Sequence, residues 1–300
     1  MKIAISPCPN DTFVFHAWVH GLIPGAPQLE VTYADIDITN TLAAGSDGPD
    51  VVKISYAALP WVLSEYALLP CGGALGKGCG PLVLTSNRAV DNNDPARLSG
   101  RRVAVPSERS TAYLLFRLWA AQHVPGGVGE IVVLPFDEIM PAVRDGLVDA
   151  GLVIHEARFT YPSYGLTLLA DLGNWWEQDT SLPIPLGAII ARRSLDLPSI
   201  IGWIQASVKY AWAHPEESKD YILQHSQELS PEVTQAHIKL YVNEFTENIG
   251  ETGYKAVEAL LSRAAKEELV SKSGSGGTIF VDNFENIRNS HPVTRMAISI

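Results

Sequence analysis

The sequence predicts a two-lobed α/β protein, each lobe a mainly parallel sheet flanked by helices, with a ligand cleft between the lobes. Three observations predict it. Short apolar runs alternate with helical patterns as far as about residue 191, and strand–helix–strand rhythm builds parallel ladders through crossover helices. A polar, Asn- and Asp-rich stretch at 86–100 interrupts that rhythm, and a fresh α/β series follows it. The chain is 300 residues long with 46% hydrophobic and 18% charged residues, too long for one small core and too apolar for a disordered chain.

In chain order, residues 2–5 read as a strand and 12–20 as an apolar helix, with Asn10 or Asp11 as its cap because either side chain accepts an orphan N–H. Residues 29–33 alternate and are rich in β-branched types, so they form a strand. A short helix at 37–44, a strand at 51–54 and a helix at 56–64 follow, then strands at 67–69 and 81–84. The second series runs strand 102–105, helix 111–122, strand 131–134, helix 138–147 (despite Pro141), and strands 150–154 and 166–169. Residues 186–191 look like a return strand. The chain is then helical. Ile201, Ile204, Val208 and Ala211 keep the spacing of one packed face, and helices at 215–225 and 231–245 begin with first-turn prolines. A last helix spans 253–269, and 271–277 is a Gly/Ser linker. The expected lobes are 1–86 with 187–300, and 87–186.

Composition narrows the function. The 22 Lys and Arg against 33 Asp and Glu leave a net charge of −11, which repels phosphate backbones and argues against a nucleic-acid partner. An anionic substrate then needs a local positive or amide-lined pocket. No apolar stretch reaches membrane-spanning length, and the apolar run at the N-terminus is too short for a signal-peptide core, so the expectation is a cytoplasmic protein with no membrane partner. Cys8, Cys71 and Cys79 cannot make a disulfide framework, which agrees with a reducing compartment. A homo-oligomer is left open.

Several motifs carry little. The segment 72–80 is glycine-rich, but Cys71 stands where a phosphate loop needs glycine, and its glycine spacing does not fit a dinucleotide fingerprint. It reads as a loop between strands. His16 and His20 share a helix face, yet no third ligand follows from their spacing, so no metal is expected. Position is the better signal. Ligands of open α/β sheets lie beyond the carboxyl ends of the strands. Such ends here carry 6–12, then Lys53, Ile54 and Ser55, then 106–111 and finally His155. Ser110 and Thr111 offer hydroxyls and helix-start N–H groups to a carboxylate. Glu156 follows His155 directly, and strand alternation would point it to the opposite face.

The segments Ser6-Pro7-Cys8-Pro9-Asn10-Asp11-Thr12-Phe13, Lys53-Ile54-Ser55-Tyr56-Ala57-Ala58, Gly72-Gly73-Ala74-Leu75-Gly76 and Ile154-His155-Glu156-Ala157-Arg158-Phe159-Thr160-Tyr161 together resemble one family. It is the 1,4-dihydroxy-6-naphthoate synthases of the futalosine route to menaquinone. The resemblance runs from about Lys2 to about Phe280. It implies the fold of type II periplasmic binding proteins and a lyase that converts cyclic dehypoxanthine futalosine to 1,4-dihydroxy-6-naphthoate, with no metal or redox cofactor. It places the catalytic histidine at His155 and substrate contacts at Lys53, Ile54, Ser55, Ser110 and Thr111. Many members have Thr-Thr where this chain has Ser110-Thr111; the serine keeps the hydroxyl and the N–H groups. Residues after Asp282 extend past the usual family end and receive no role. Rival readings are a related chorismate dehydratase-type enzyme of the same pathway, a non-catalytic carboxylate-binding protein on the same fold, and a sensor domain.

Overall fold

A computed structural model describes residues 1–86, 94–226 and 230–267. The expected linker at 271–277 and the extension after Asp282 lie outside the described residues. The elements, in order, are β1 (Lys2–Ile5), α1 (Pro9–Val19), β2 (Glu30–Tyr33), α2 (Ile36–Ala44), β3 (Val51–Ser55), β4 (Tyr66–Leu68), β5 (Ala74–Gly76) and β6 (Leu82–Ser86). They continue with β7 (Val103–Val105), α3 (Thr111–His123), β8 (Ile131–Val133), α4 (Phe136–Asp145), β9 (Ala150–Val153), α5 (Ala157–Thr160), β10 (Leu166–Asp171), α6 (Leu172–Thr180) and β11 (Ile184–Arg192). The helices α7 (Leu197–Ala213), α8 (Lys219–His225), α9 (Pro231–Tyr241), α10 (Glu244–Glu247) and α11 (Gly250–Lys266) close the described chain.

Two sheets form. The first has the order β2-β1-β3-β11-β4, with β5 also pairing β11; the second has the order β10-β6-β9-β7-β8. Parallel pairing is confined to three strands of each sheet, β2-β1-β3 and β9-β7-β8. The crossing strands, β6 on entry to the second sheet and β11 on return to the first, pair antiparallel with their neighbours. The sheets are therefore more mixed than expected, because hydrophobic runs fix that a strand is buried but not its direction.

The expected crossing also moves. Leu82–Ser86 belongs to the second sheet, so the chain leaves the first sheet between Gly76 and Leu82, ahead of the polar 86–100 stretch. It returns through α6, which the sequence left unread, and β11 begins at Ile184. The two crossings touch at Gly80 and Gly173: a Cβ on Gly80 would lie 2.2 Å from the Gly173 nitrogen. Only glycine permits that approach, and the Leu172 N–H donates to the Pro81 carbonyl beside it at 3.0 Å.

The first sheet is covered on both faces. Ile3, Ile5, Val51 and Ile189 pack with α1 and α7, while Ala4, Val52, Ile54 and Ile190 join a core that continues into α3 and α11. In the second sheet Leu82, Leu84 and Ala104 pack on Ile139 and Val143 of α4. Loops at the carboxyl ends of β1, β3, β7 and β9 are left to form the site.

Candidate functional site

A cavity at those strand ends is lined by Ser6, Asp11, Lys53, Ser55, Thr111 and His155, among others. A second cavity, lined by Pro7, Cys8, Ile36 and Phe136, shares His155 with the first. His155 therefore stands where the two spaces meet.

Alternation explains which β3 residues arrive. Lys53 and Ser55 point to the cavity face, and Ile54 points the other way into the core, fully buried with Val52. Of the expected contact residues, Ile54 has no side chain at the site; only its backbone runs there. Lys53 is buried and ion-paired to Asp11. Asp11 also accepts the Ser6 N–H at 3.2 Å and the Asn10 side-chain N–H at 2.7 Å. Asp11 and Asn10 do not cap α1, because the helix starts earlier, with Cys8 as N-cap and Pro9 in its first turn. Ser55 is held by Asn40, whose amide nitrogen donates to the Ser55 hydroxyl at 3.2 Å and whose oxygen accepts the Ser55 N–H at 2.8 Å.

His155 lies in the turn just after β9 with φ 54, a left-handed backbone unusual outside glycine. That turn breaks strand alternation. Glu156 is buried beside His155 rather than across the sheet, and donor atoms of Cys8, His155 and Glu156 all lie within 4.8 Å of one another. No other trio of possible metal ligands occurs among the described residues. His155 Nδ1 is 3.4 Å from Cys8 Sγ, Phe136 meets the ring edge-on at 5.5 Å, and the His237 ring lies nearly parallel at 6.2 Å. Burial, assisted by the Lys53 charge, pushes the His155 imidazole down to about 4. The ring is neutral at pH 7, far from the ordinary histidine range that sequence alone suggests.

The Ser110 and Thr111 hydroxyls line the cavity and are also engaged within the protein. Ser110 caps α3, accepting the Tyr113 N–H at 3.1 Å and donating to the Ser107 carbonyl at 2.9 Å. Thr111 donates to the Leu186 carbonyl at 2.8 Å and accepts the Ala57 N–H at 3.2 Å. Both of its partners belong to the first-sheet lobe, so Thr111 clasps the two lobes together. The Thr111 and Ala112 N–H groups lie in the first turn of α3, where backbone donors lack intrahelical partners.

Sequence reasoning missed His237, Tyr241, Cys79, Leu186 and Gly187. His237 is fully buried and donates from Nε2 to Asn10 Oδ1 at 3.0 Å, since the Asn10 nitrogen is already directed at Asp11. Its Nδ1 has no hydrogen-bond partner among the described residues. Nothing in the spacing of α9 marks it as reaching the cleft. Gly187 faces Lys53: a Cβ there would lie 2.5 Å from the lysine Cε. The His16 and His20 rings pack 4.4 Å apart against Tyr221, away from the cleft, and His20 Nδ1 donates to the His16 carbonyl at 2.8 Å. The glycine-rich segment contains β5, and its Gly78 N–H donates to the Glu177 carboxylate at 2.6 Å, occupying a donor that phosphate would need.

Residues 1–266 match the family model described as menaquinone biosynthesis. A Streptomyces coelicolor protein named 1,4-dihydroxy-6-naphthoate synthase is 63% identical over 93% of this chain and 98% of its own length. A Thermus thermophilus protein of the same name is 45% identical over 91% of this chain and 97% of its own. Among solved structures, an Archaeoglobus fulgidus protein superposes with a TM-score of 0.81 at 33% identity, covering 90% of this chain and 98% of that one. The periplasmic aliphatic sulphonate binding protein of Escherichia coli superposes with a TM-score of 0.66 at 13% identity, over 100% of this chain and 94% of that one, a likeness of fold.

Proposed function

The chain belongs to the menaquinone-biosynthesis family, and from that premise we propose how its cleft performs the lyase reaction of a 1,4-dihydroxy-6-naphthoate synthase. The substrate is a small molecule, cyclic dehypoxanthine futalosine, and the products are the naphthoate and a three-carbon fragment. The observation that carries the mechanism is His155 at the junction of the two cavities, facing Lys53, Ser55 and the start of α3.

His155 is the general base of a retro-aldol cleavage. With Nδ1–H directed at Cys8 Sγ, the Nε2 lone pair takes the proton of a substrate hydroxyl. That oxygen becomes a carbonyl as the adjacent carbon–carbon bond breaks, the bond's electron pair leaves on the carbocycle as an enolate that takes the proton back from the imidazolium, and aromatisation of the carbocycle drives the step. An imidazole pushed down to about 4 is neutral and ready, though weakly basic. The substrate carboxylate, arriving near Lys53, offsets the lysine charge and raises the basicity of the ring when the proton must move. On a chain of net charge −11, long-range attraction does not draw in an anion, so local groups hold the carboxylate. These are the Thr111 and Ala112 N–H groups and Lys53.

The described cysteines are free thiols, which agrees with a reducing compartment, and we assign the reaction to the cytoplasm. No described helix is long and apolar enough to cross a membrane. The test is to incubate purified protein with cyclic dehypoxanthine futalosine and follow the naphthoate. Its appearance supports the reading. Substrate binding without any naphthoate would favour the binding-protein alternative instead.

A further inference from the structure

We propose that Cys8, His155 and Glu156 form a binding site for a zinc-class divalent cation, and that an ion bound there inhibits the enzyme. The inhibition rests on His155 being the base; the binding does not.

The geometry is close to a ready site. Cys8 Sγ and His155 Nδ1 are 3.4 Å apart, and a Glu156 oxygen completes a trio within 4.8 Å. A tetrahedral zinc, with bonds of about 2.3 Å to sulfur and about 2.0 Å to nitrogen or oxygen, spaces its donors by roughly 3.5 Å. The sulfur and nitrogen already stand at that separation, and the carboxylate needs at most a shift on the order of 1 Å. Two local features assemble the trio. Cys8 is fixed as the N-cap of α1, and the left-handed turn at His155 brings consecutive side chains to one side. All three residues line the second of the two cavities, which leaves a fourth position for water.

The carboxylates around Cys8 favour a cation, against the Lys53 charge that His155 feels. Burial first, then the charges of Glu156, Asp11 and Asp35, hold the Cys8 thiol well above its ordinary range. Those carboxylates stabilise a positive ion by the same interaction that resists a bare thiolate. On binding, the thiol proton leaves to bulk water and sulfur coordinates as thiolate. The ion takes the Nδ1 lone pair, so the imidazole carries its proton on Nε2, and the lone pair that serves as base is lost. This mixed thiolate, imidazole and carboxylate set suits zinc and cobalt(II) better than magnesium or calcium.

The experiment titrates the metal-free full-length protein with Co²⁺ and follows the thiolate-to-cobalt absorption, then displaces cobalt with Zn²⁺. One equivalent is expected to bind with a thiolate band. Cys8→Ser should abolish the band while Cys71 and Cys79 remain, and Glu156→Gln should weaken binding by ~10-fold or more. Thermal unfolding of each variant separates lost ligands from lost fold. In wild-type protein a rise of the unfolding temperature with Zn²⁺ gives a second readout of binding. Stoichiometric Zn²⁺ should also suppress naphthoate formation, and a chelator should restore it. Binding without a thiolate band, or equal binding by folded wild-type and Cys8→Ser proteins, would overturn the site. Intact binding with undiminished turnover would overturn the inhibition and the role of His155 as base, while leaving the site itself standing.

Discussion

On the first-sheet wall of the cleft, Lys53, Asp11, Asn10 and His237 form one chain of buried contacts, and Asn40 holds Ser55 from two sides. On the facing wall, His155 sits on a left-handed turn with the Cys8 thiol 3.4 Å from its Nδ1. The first wall pairs its buried charges internally, as buried charges require, and leaves the neutral His237 Nδ1 without a hydrogen bond among the described residues. The second holds its imidazole by a thiol contact at Nδ1, at a backbone cost of order 1–3 kcal/mol. One wall supplies a fixed field, and the other supplies the group that reacts. The difference predicts that substitutions on the first wall disturb folding along with activity, and that those on the second disturb activity alone.

His155→Ala is the most direct way to break this comparison. It should lower kcat by about 10²–10⁴-fold, on the order of 3–5 kcal/mol of barrier, while substrate binding and thermal stability stay near wild type. Steady-state kinetics beside a binding titration measure this. Turnover within a few-fold of wild type would remove the base role from His155.

Lys53→Met should act in the opposite manner. It leaves the Asp11 carboxylate buried without its cation, which commonly costs about 3–5 kcal/mol of stability. Adding Asp11→Asn to the same protein should recover much of that loss, because no bare charge is then left buried. Activity should stay low in the double variant if Lys53 also receives the substrate anion. Denaturant unfolding and kinetics on the single and double variants separate the two roles; a stable, active single variant would show that the ion pair matters to neither.

The pH response sharpens the contrast further. For His155 to accept a proton it must be neutral, so kcat/KM should hold level as pH falls from neutrality and drop only near the folded value of about 4. A limb near the ordinary histidine value would show a ring far more hydrated than this cleft allows. Stability follows with a definite sign. Both His155 and His237 are pushed down in the folded state, chiefly by burial. Between roughly pH 6.5 and the folded values the unfolded chain binds more protons, so stability falls as pH falls through that window. The slope reaches at most about 1.4 kcal/mol per pH unit for each ring. His155→Ala should flatten part of it, and an unchanged slope would assign the effect to His237.

Much of this site was legible because local patterns govern it. Strand alternation puts Lys53 and Ser55 on one face of β3, and the end of an apolar strand marks His155. The same local reasoning failed where the chain folds back. Alternation sent Glu156 away from His155 until the left-handed turn reversed it. The start of α1 lay too late, since Pro9 is a first-turn residue and Cys8 the cap. A polar segment drew the lobe crossing to 86–100, whereas a close approach of Gly80 and Gly173 sets it earlier. His237 reaches Asn10 across 227 positions of sequence, and no periodicity encodes such a contact.

Thr111 gives the smallest expected effect and the finest test, because it belongs to the second wall yet is bonded to the first. Its hydroxyl donates to the Leu186 carbonyl and accepts the Ala57 N–H, so it joins the lobes across the cleft. Thr111→Val keeps the shape and the helix-start N–H groups and removes that clasp. Ser110 still caps α3, so the helix itself is not the variable. A ligand held by both lobes shifts the equilibrium toward closure only by its differential affinity for the closed state. Leaving the Leu186 carbonyl and Ala57 N–H without their partner weakens that state by about 1–2 kcal/mol. Substrate affinity should fall by the corresponding roughly 5- to 30-fold, with kcat nearly unchanged once the site is saturated. Affinity and thermal unfolding must be measured together. If unfolding temperature drops while affinity holds, the hydroxyl is an ordinary packing bond within a permanently joined pair of lobes. If affinity drops and unfolding temperature holds, Thr111 acts on closure, and the second wall depends on the first for its position as well as its field.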